Sequence, residues 1–290
     1  MVGLTRHSSV LACSDTEATS GSTARADHDQ RLGLLLKTIE GEVIPRLMLS
    51  HRADGLRLPL ANGVANHPRA DEVDALTALL LGMDADAISA FVQKVRARGI
   101  TTEALYLELL TPAARLLGRM WEEDRCDFTA VTLGLWRLQR LLYELSPTFQ
   151  MEFGTEVPRD GRRVLLNPVP GEQHTFGMFM VAEFFRRGGW EVYDGPSCSH
   201  AHLVELARAN WFGVIGISAS CERWLDELRA VVADVRRVSR NPGISIIVGG
   251  SMFLRRAELA REVGADGTAL DAARAVELAQ SLLIEPRQIC

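Results

Sequence analysis

The chain of 290 residues lacks several features that would settle its class at once. Its five cysteines, at 13, 126, 198, 221 and 290, include no CxxC pair. That spacing suggests neither a disulfide framework nor a zinc site. No apolar run reaches the roughly 18 to 20 residues that cross a bilayer, and the first twenty residues have no apolar signal-peptide core. A cytoplasmic protein without membrane contact is therefore expected. Lys and Arg are scattered and the formal net charge is −5, so there is no basic footprint for unaided nucleic-acid binding and no direct DNA-binding domain is expected. Neither GxGxxG nor GxxxxGK[ST] occurs, which removes the usual dinucleotide and phosphate loops. No Ser-His-Asp or paired-carboxylate constellation is evident, and a non-enzyme is expected.

What is present is a chain of two rhythms. The first thirty residues are rich in Ser, Thr, Ala and Asp without periodicity, and read as a tail. From Arg31, LGLLLKTIEGEVIPRLMLSHR carries apolar residues at three- and four-residue intervals, as an amphipathic helix does. A Gly/Pro/Asn-containing stretch over 55–68 reads as a loop. Helical patterns follow over 70–81, 85–97, 102–120 and 128–145, with Asp84 and Thr101 as N-caps. Residues 31–146 are thus predicted to form a helical bundle, and 147–161, rich in Pro, Gly and charge, a linker.

From Arg162 to the end, short apolar strands alternate five times with helices. Near-continuous apolar strands separated by helices predict a parallel sheet covered on both faces, a flavodoxin-like doubly wound five-stranded domain. The overall class is an α+α/β chain, a helical bundle followed by an α/β domain. Ligands of open parallel sheets bind beyond the strand carboxyl ends, where the order reverses. Strand one leads into NPVPGEQHTFG, strand three into SASCE, strand four into GGS and strand five into GTALD. Glu172 and His174, two apart, suit a metal-ligating imidazole whose second nitrogen donates to a carboxylate. His200 and His202 read as a solvated helix start.

This constellation resembles the cobalamin-binding domains of methionine synthase, the corrinoid mutases and related light regulators, whose pattern is DxHxxG, then SxL about forty residues on, then GG a little under thirty later. Here ExHxxG spans Glu172 to Gly177, residues 178–217 make 40 before Ser218, and residues 221–248 make 28 between Ser220 and Gly249–Gly250. Glu172 stands where the pattern has Asp, and Ser220 where it has Leu. The resemblance implies that His174 is the lower axial ligand of cobalt, displacing the dimethylbenzimidazole base. It also implies a slot for the nucleotide tail lined by Gly177, Ser218, Ser220, Gly249 and Gly250, with Gly267 and Thr268 at the end of strand five.

The preceding bundle resembles the cap over the upper corrin face. Trp121 matches the tryptophan there, while Val131 and Thr132 occupy the places of the Glu-His pair of the light-sensing repressors. In length, in its IEGEVIPRLML-like first helix and in lacking a DNA-reading domain, the chain resembles the PpaA/AerR family of cobalamin-binding antirepressors. The resemblance implies a light-responsive transcriptional regulator that binds hydroxo-, methyl- or adenosylcobalamin and a repressor of the CrtJ/PpsR type. Alternatives are a heme-binding redox or light sensor and a corrinoid carrier of a methyltransferase system. Pairing of the apolar-rich bundle with a second copy is a further expectation.

Overall fold

A computed structural model describes residues 67–82, 84–152, 162–194 and 198–284. The tail over 1–30, the amphipathic pattern over 31–51 and most of the 55–68 loop lie outside them. All described residues belong to one compact unit, Leu49–Cys290.

Among the described residues the first elements are α1 (Ala70–Leu81) and α2 (Ala85–Arg96). Asp84 caps α2 by accepting from the amides of Asp86 and Ala87, each at 3.0 Å. Thr101 caps the next helix through the Ala104 amide (3.2 Å). That helix begins as α3 (Thr102–Ala104), widens into a π-helical stretch over Leu105–Leu110, and continues as α4 (Thr111–Glu122). One extra residue per turn brings Leu105, Tyr106, Leu109 and Leu110 to the core together, all 0% exposed. The even 3.6-residue pattern expected over 102–120 misses this insertion.

Helix α5 (Phe128–Met151) is capped by Asp127, which accepts from the Ala130 amide (2.7 Å). It runs through Pro147, five residues into the segment expected as linker; residues 153–161 lie outside the description. Proline removes one intrahelical donor, but tertiary contacts hold the last turn. Phe149 is fully buried, Ser146 and Gln150 both donate to the Glu183 carboxylate, and Glu152 accepts from the Thr102 amide (2.9 Å) and hydroxyl (2.6 Å).

The second part alternates β1 (Arg163–Pro168), α6 (Phe176–Arg187), β2 (Glu191–Asp194), α7 (His200–Ala209), β3 (Val214–Ser218), a 3₁₀ turn (Glu222–Trp224), α8 (Leu225–Val238), β4 (Ser245–Gly249), α9 (Ser251–Arg255), α10 (Leu259–Glu262), β5 (Gly267–Thr268) and α11 (Ala272–Ile284). Two short helices, α9 and α10, stand between β4 and β5, because Arg256 leaves the helical region (φ −139°, ψ 75°) before Leu259 and Ala260 return to the core. All strands are parallel in the order β2-β1-β3-β4-β5, the flavodoxin-like order. The reversal lies between β1 and β3, so the loops after these strands diverge and leave a crevice at their carboxyl ends.

Period-two alternation sorts the core. Val164 and Leu166 face Phe185, Ala275 and Ala279 of α6 and α11, while Leu165, Ile215 and Ile217 join Leu203, Leu228 and Val231 of α7 and α8. The outer face of α6 is buried too: Met180 and Phe184 enter the leucine core of the bundle. Tyr106, Phe149 and Phe184 meet there at centroid distances of 4.6, 4.9 and 6.3 Å, each pair adding about 0.5–1.5 kcal/mol beyond burial. Truncating Phe149 to alanine would remove about 3–5 kcal/mol. Helix α6 is thus shared, one side on the sheet and one on the bundle, and its first residue lies two positions after His174.

Candidate corrinoid site

The loop after β1 starts with a turn written plainly in Val169-Pro170-Gly171-Glu172. The Glu172 amide donates to the Val169 carbonyl (2.9 Å) and Gly171 has φ +88°, as a type II turn with Pro then Gly requires. The turn swings Glu172 inward, leaving it 3% exposed. Its Oε1 accepts from the amides of Gln173 (2.8 Å) and His174 (2.9 Å) and lies 2.5 Å from His174 Nδ1. Its Oε2 accepts from the Ser220 amide (2.9 Å) and, in a very short contact, from the Ser220 hydroxyl.

Burial alone would raise the Glu172 pKa. The hydrogen bond and charge of His174, with the Ser220 hydroxyl, outweigh it and bring the carboxyl down from 4.5 to about 2. An ionised carboxylate only accepts, so His174 Nδ1 is the donor and, in the neutral ring, Nε2 carries the lone pair. The side chain of His174 is 22% exposed, against 2% for Glu172. An imidazole oriented in this way is equipped to be a metal ligand through Nε2.

The two departures from the DxHxxG and SxL pattern therefore meet. The additional methylene of Glu172 lets one carboxylate bridge His174 and the position where Ser220 replaces Leu. Read separately, Ser220 lined the tail slot; in the fold its hydroxyl is committed to Glu172.

The remaining residues divide by surroundings. Ser218 Oγ at the end of β3 and Thr268 Oγ1 at the end of β5 are buried with no hydrogen-bond partner among the described residues. Buried polar atoms are ordinarily paired, so two orphans on one sheet edge mark a place suited to a ligand's polar groups. A Cβ added at Gly177 or Gly249 would meet nothing within 4 Å, so both border open space. Gly250 differs: with φ +117° its added Cβ would lie 2.1 Å from the Ala219 carbonyl oxygen, so it serves close backbone approach. Gly267 packs on α11, where an added Cβ would lie 3.1 Å from Leu278 Cδ2. Open cradle and orphaned hydroxyls fit the polar tail of a large ligand.

In the helical part Trp121 is buried on the last turn of α4 and belongs to none of the three core clusters of described residues. Val131 is buried, and Thr132 turns its hydroxyl to the Phe128 carbonyl (2.8 Å). His200 is no solvated helix start: Nδ1 lies 2.9 Å from Glu227 and Nε2 3.0 Å from Asp234, tying α7 to α8. Two further residues were not singled out from the sequence. The Trp224 ring covers Gly171, where an added Cβ would lie 2.7 Å from its Cη2. The Pro-Gly turn was a usable signal for the glycine; nothing local marks the tryptophan.

Residues 162–277 match the family model described as B12 binding domain, and residues 72–145 match a second model of the same description. These two segments are B12-binding domains. The corrinoid-site loop and all five strands lie inside the first segment, and α2 to α4 with most of α1 and α5 inside the second. The B12-binding chain is 29% identical over 171 residues to an uncharacterized 20.5 kDa protein in the bchF-crtJ intergenic region of Rhodobacter capsulatus, covering 59% of this chain and 88% of that one. A corrinoid protein of Desulfitobacterium hafniense (strain Y51) is 23% identical over 212 residues, 73% of this chain and 97% of that one. The monomethylamine corrinoid protein of Methanosarcina barkeri shares the fold, with a TM-score of 0.62 at 15% identity over 73% of this chain and 98% of that structure.

Proposed function

We propose that the protein is a cobalamin-responsive, light-sensitive transcriptional regulator, an antirepressor that acts on a repressor of the CrtJ/PpsR type and catalyses no reaction of its own. The observation that carries the cofactor reading is the Glu172–His174–Ser220 arrangement at the switch point of the sheet. Among the described residues no group of three or more His, Cys, Asp or Glu could hold a metal ion alone. A single oriented imidazole suits a metal whose other ligands a macrocycle would supply. In this reading His174 Nε2 would ligate cobalt, Glu172 and Ser220 would hold the imidazole, and Ser218, Thr268, Gly177 and Gly249 would take the nucleotide tail. Bound alkylcobalamin supplies a cobalt–carbon bond that visible light breaks.

The bundle supports a cap on the other side of the ligand. Contacts of Tyr143 with Phe179 (6.4 Å between centroids) and of Ser146 and Gln150 with Glu183 show α5 and α6 running parallel. At a rise of 1.5 Å per residue, α5 begins about 22 Å before Tyr143 and α6 only about 4.5 Å before Phe179. The first turns of α5 therefore overhang the end of α6 that follows the His174 loop. They carry Phe128, Leu133 and Trp136, exposed by 37, 43 and 56%. Exposed apolar groups of this size ask for a partner, and an upper ligand lost from beneath them would change what they pack against, a population shift between two arrangements.

The regulatory part is supported by the Rhodobacter relative, whose name places it beside crtJ. A second reading, a corrinoid carrier in a methyltransferase system, is favoured by the near full-length match to the Desulfitobacterium corrinoid protein. A heme sensor would use the same imidazole and is separated by its visible spectrum. The deciding experiment measures binding of a CrtJ-type repressor by adenosylcobalamin-loaded protein, in darkness and after illumination. Affinity that differs between the two states supports the regulator. Absence of binding in both, together with methylation of the bound corrinoid by a methyltransferase, supports the carrier.

A further inference from the structure

We propose that Trp224 is a positioning residue of the corrinoid site, a clamp that holds the Gly171–His174 loop in its ligating geometry before any ligand arrives. The loop is anchored by the Val169 amide on the Ser218 carbonyl (2.8 Å) and by Ser220 on Glu172, and between these points its backbone passes Gly171. There φ is +88° and the Trp224 ring lies so near that an added Cβ would be 2.7 Å from Cη2 and 3.2 Å from Cζ3. The ring rests on bare backbone that only glycine offers.

The clamp is itself fixed. Trp224 ends the 3₁₀ turn that starts two residues after Ser220, and its amide donates to the Cys221 carbonyl (3.2 Å). Its ring packs against the core formed by β3, α7 and α8, and the Arg223 guanidinium lies 4.3 Å from the ring centroid. One short segment, Ser220 to Trp224, thus grips the His174 loop twice, by hydrogen bonds at Glu172 and by ring contact at Gly171. A loop fixed in this way binds without paying for its own ordering, the general route by which preorganisation strengthens binding.

The clamp itself stands on the loop contacts at Gly171 and Glu172; its link to corrinoid retention rests on the B12 reading. Amide hydrogen exchange on the full chain without ligand tests the clamp alone. In Trp224→Ala, exchange at the Gln173, His174 and Ser220 amides rises at least about tenfold, while sheet amides such as those of Ile215 and Ile247 keep their protection. Trp224→Phe, which keeps a ring over Gly171, stays within about threefold of wild type. The same two variants, loaded with hydroxocobalamin, release it faster and at the wild-type rate respectively. Wild-type exchange at all three amides in Trp224→Ala overturns the clamp, and so does a phenylalanine variant that behaves like the alanine one. Wild-type protein that takes up no hydroxocobalamin overturns instead the corrinoid reading, and the exchange measurement still decides on the clamp.

Discussion

The two ends of the parallel sheet treat their polar residues oppositely. At the amino-terminal end polar groups are tied to one another. Arg163 reaches Glu191 (3.1 Å) and the Tyr193 hydroxyl (2.7 Å), Asp266 accepts from Arg236 and from the Ile246 amide at 2.7 Å each, and Asn241 donates to the Phe212 carbonyl (2.8 Å). At the carboxyl end Ser218 and Thr268 bury hydroxyls without partners among the described residues, and two glycines border open space. Glu172 is fully engaged there, and its partners, His174 and Ser220 among them, belong to the loops of the site itself. The amino-terminal end spends its polarity on the fold, whereas the carboxyl end keeps it for a ligand.

Substitutions at the two ends should therefore separate stability from ligand retention. The largest loss of stability is expected at the amino-terminal end. Asp266→Ala, which takes the carboxylate from the Arg236 charge and the acceptor from the Ile246 amide, should lower unfolding free energy by about 3–5 kcal/mol in denaturant titration and leave cobalamin retention in the surviving folded protein unchanged. At the other end Glu172→Gln should lower stability by about 1–3 kcal/mol and weaken cobalamin binding about 10- to 100-fold. It should also alter the acid limb. The folded carboxyl titrates near 2 and an ordinary one at 4.5, so its stabilising contribution is fully present above 4.5 and is lost as pH falls from there toward 2. Unfolding followed across that window should be steeper in pH for wild type than for the glutamine variant. The smallest change in stability belongs to Gly249→Ala, within about 0.5 kcal/mol, with weaker cobalamin retention because the methyl group enters the open cradle. Equal retention by the Asp266 and Gly249 variants would erase the distinction between the ends.

Much of this was legible in the sequence because the signals were local or periodic. Near-continuous apolar strands gave the parallel sheet, the Asp84 and Thr101 caps marked helix starts, and the spaced ExHxxG, Ser218 and Gly249–Gly250 elements fell on carboxyl ends that the sheet brings together. The misses share a cause: tertiary contacts override local rules. Pro147 reads as a helix stop, yet Glu183 and the burial of Phe149 carry α5 past it. The π-helical stretch over 105–110 answers to the shared core, and Arg256 breaks a pattern that looks continuous in one dimension. Ser220 was visible, but its partnership with Glu172 joins residues 48 apart and depends on both departing from the family pattern. Trp224 had no signature, since its role arises from an absent side chain at Gly171.

The central claim is tested most directly by absorbance after hydroxocobalamin is incubated with wild type and with His174→Ala and unbound ligand is removed. Wild type should elute with a cobalamin spectrum, and the alanine variant, folded but lacking the Nε2 lone pair, should elute nearly colourless, its affinity lowered by more than about 100-fold. A variant that retains the corrinoid with an unchanged spectrum would contradict ligation by His174.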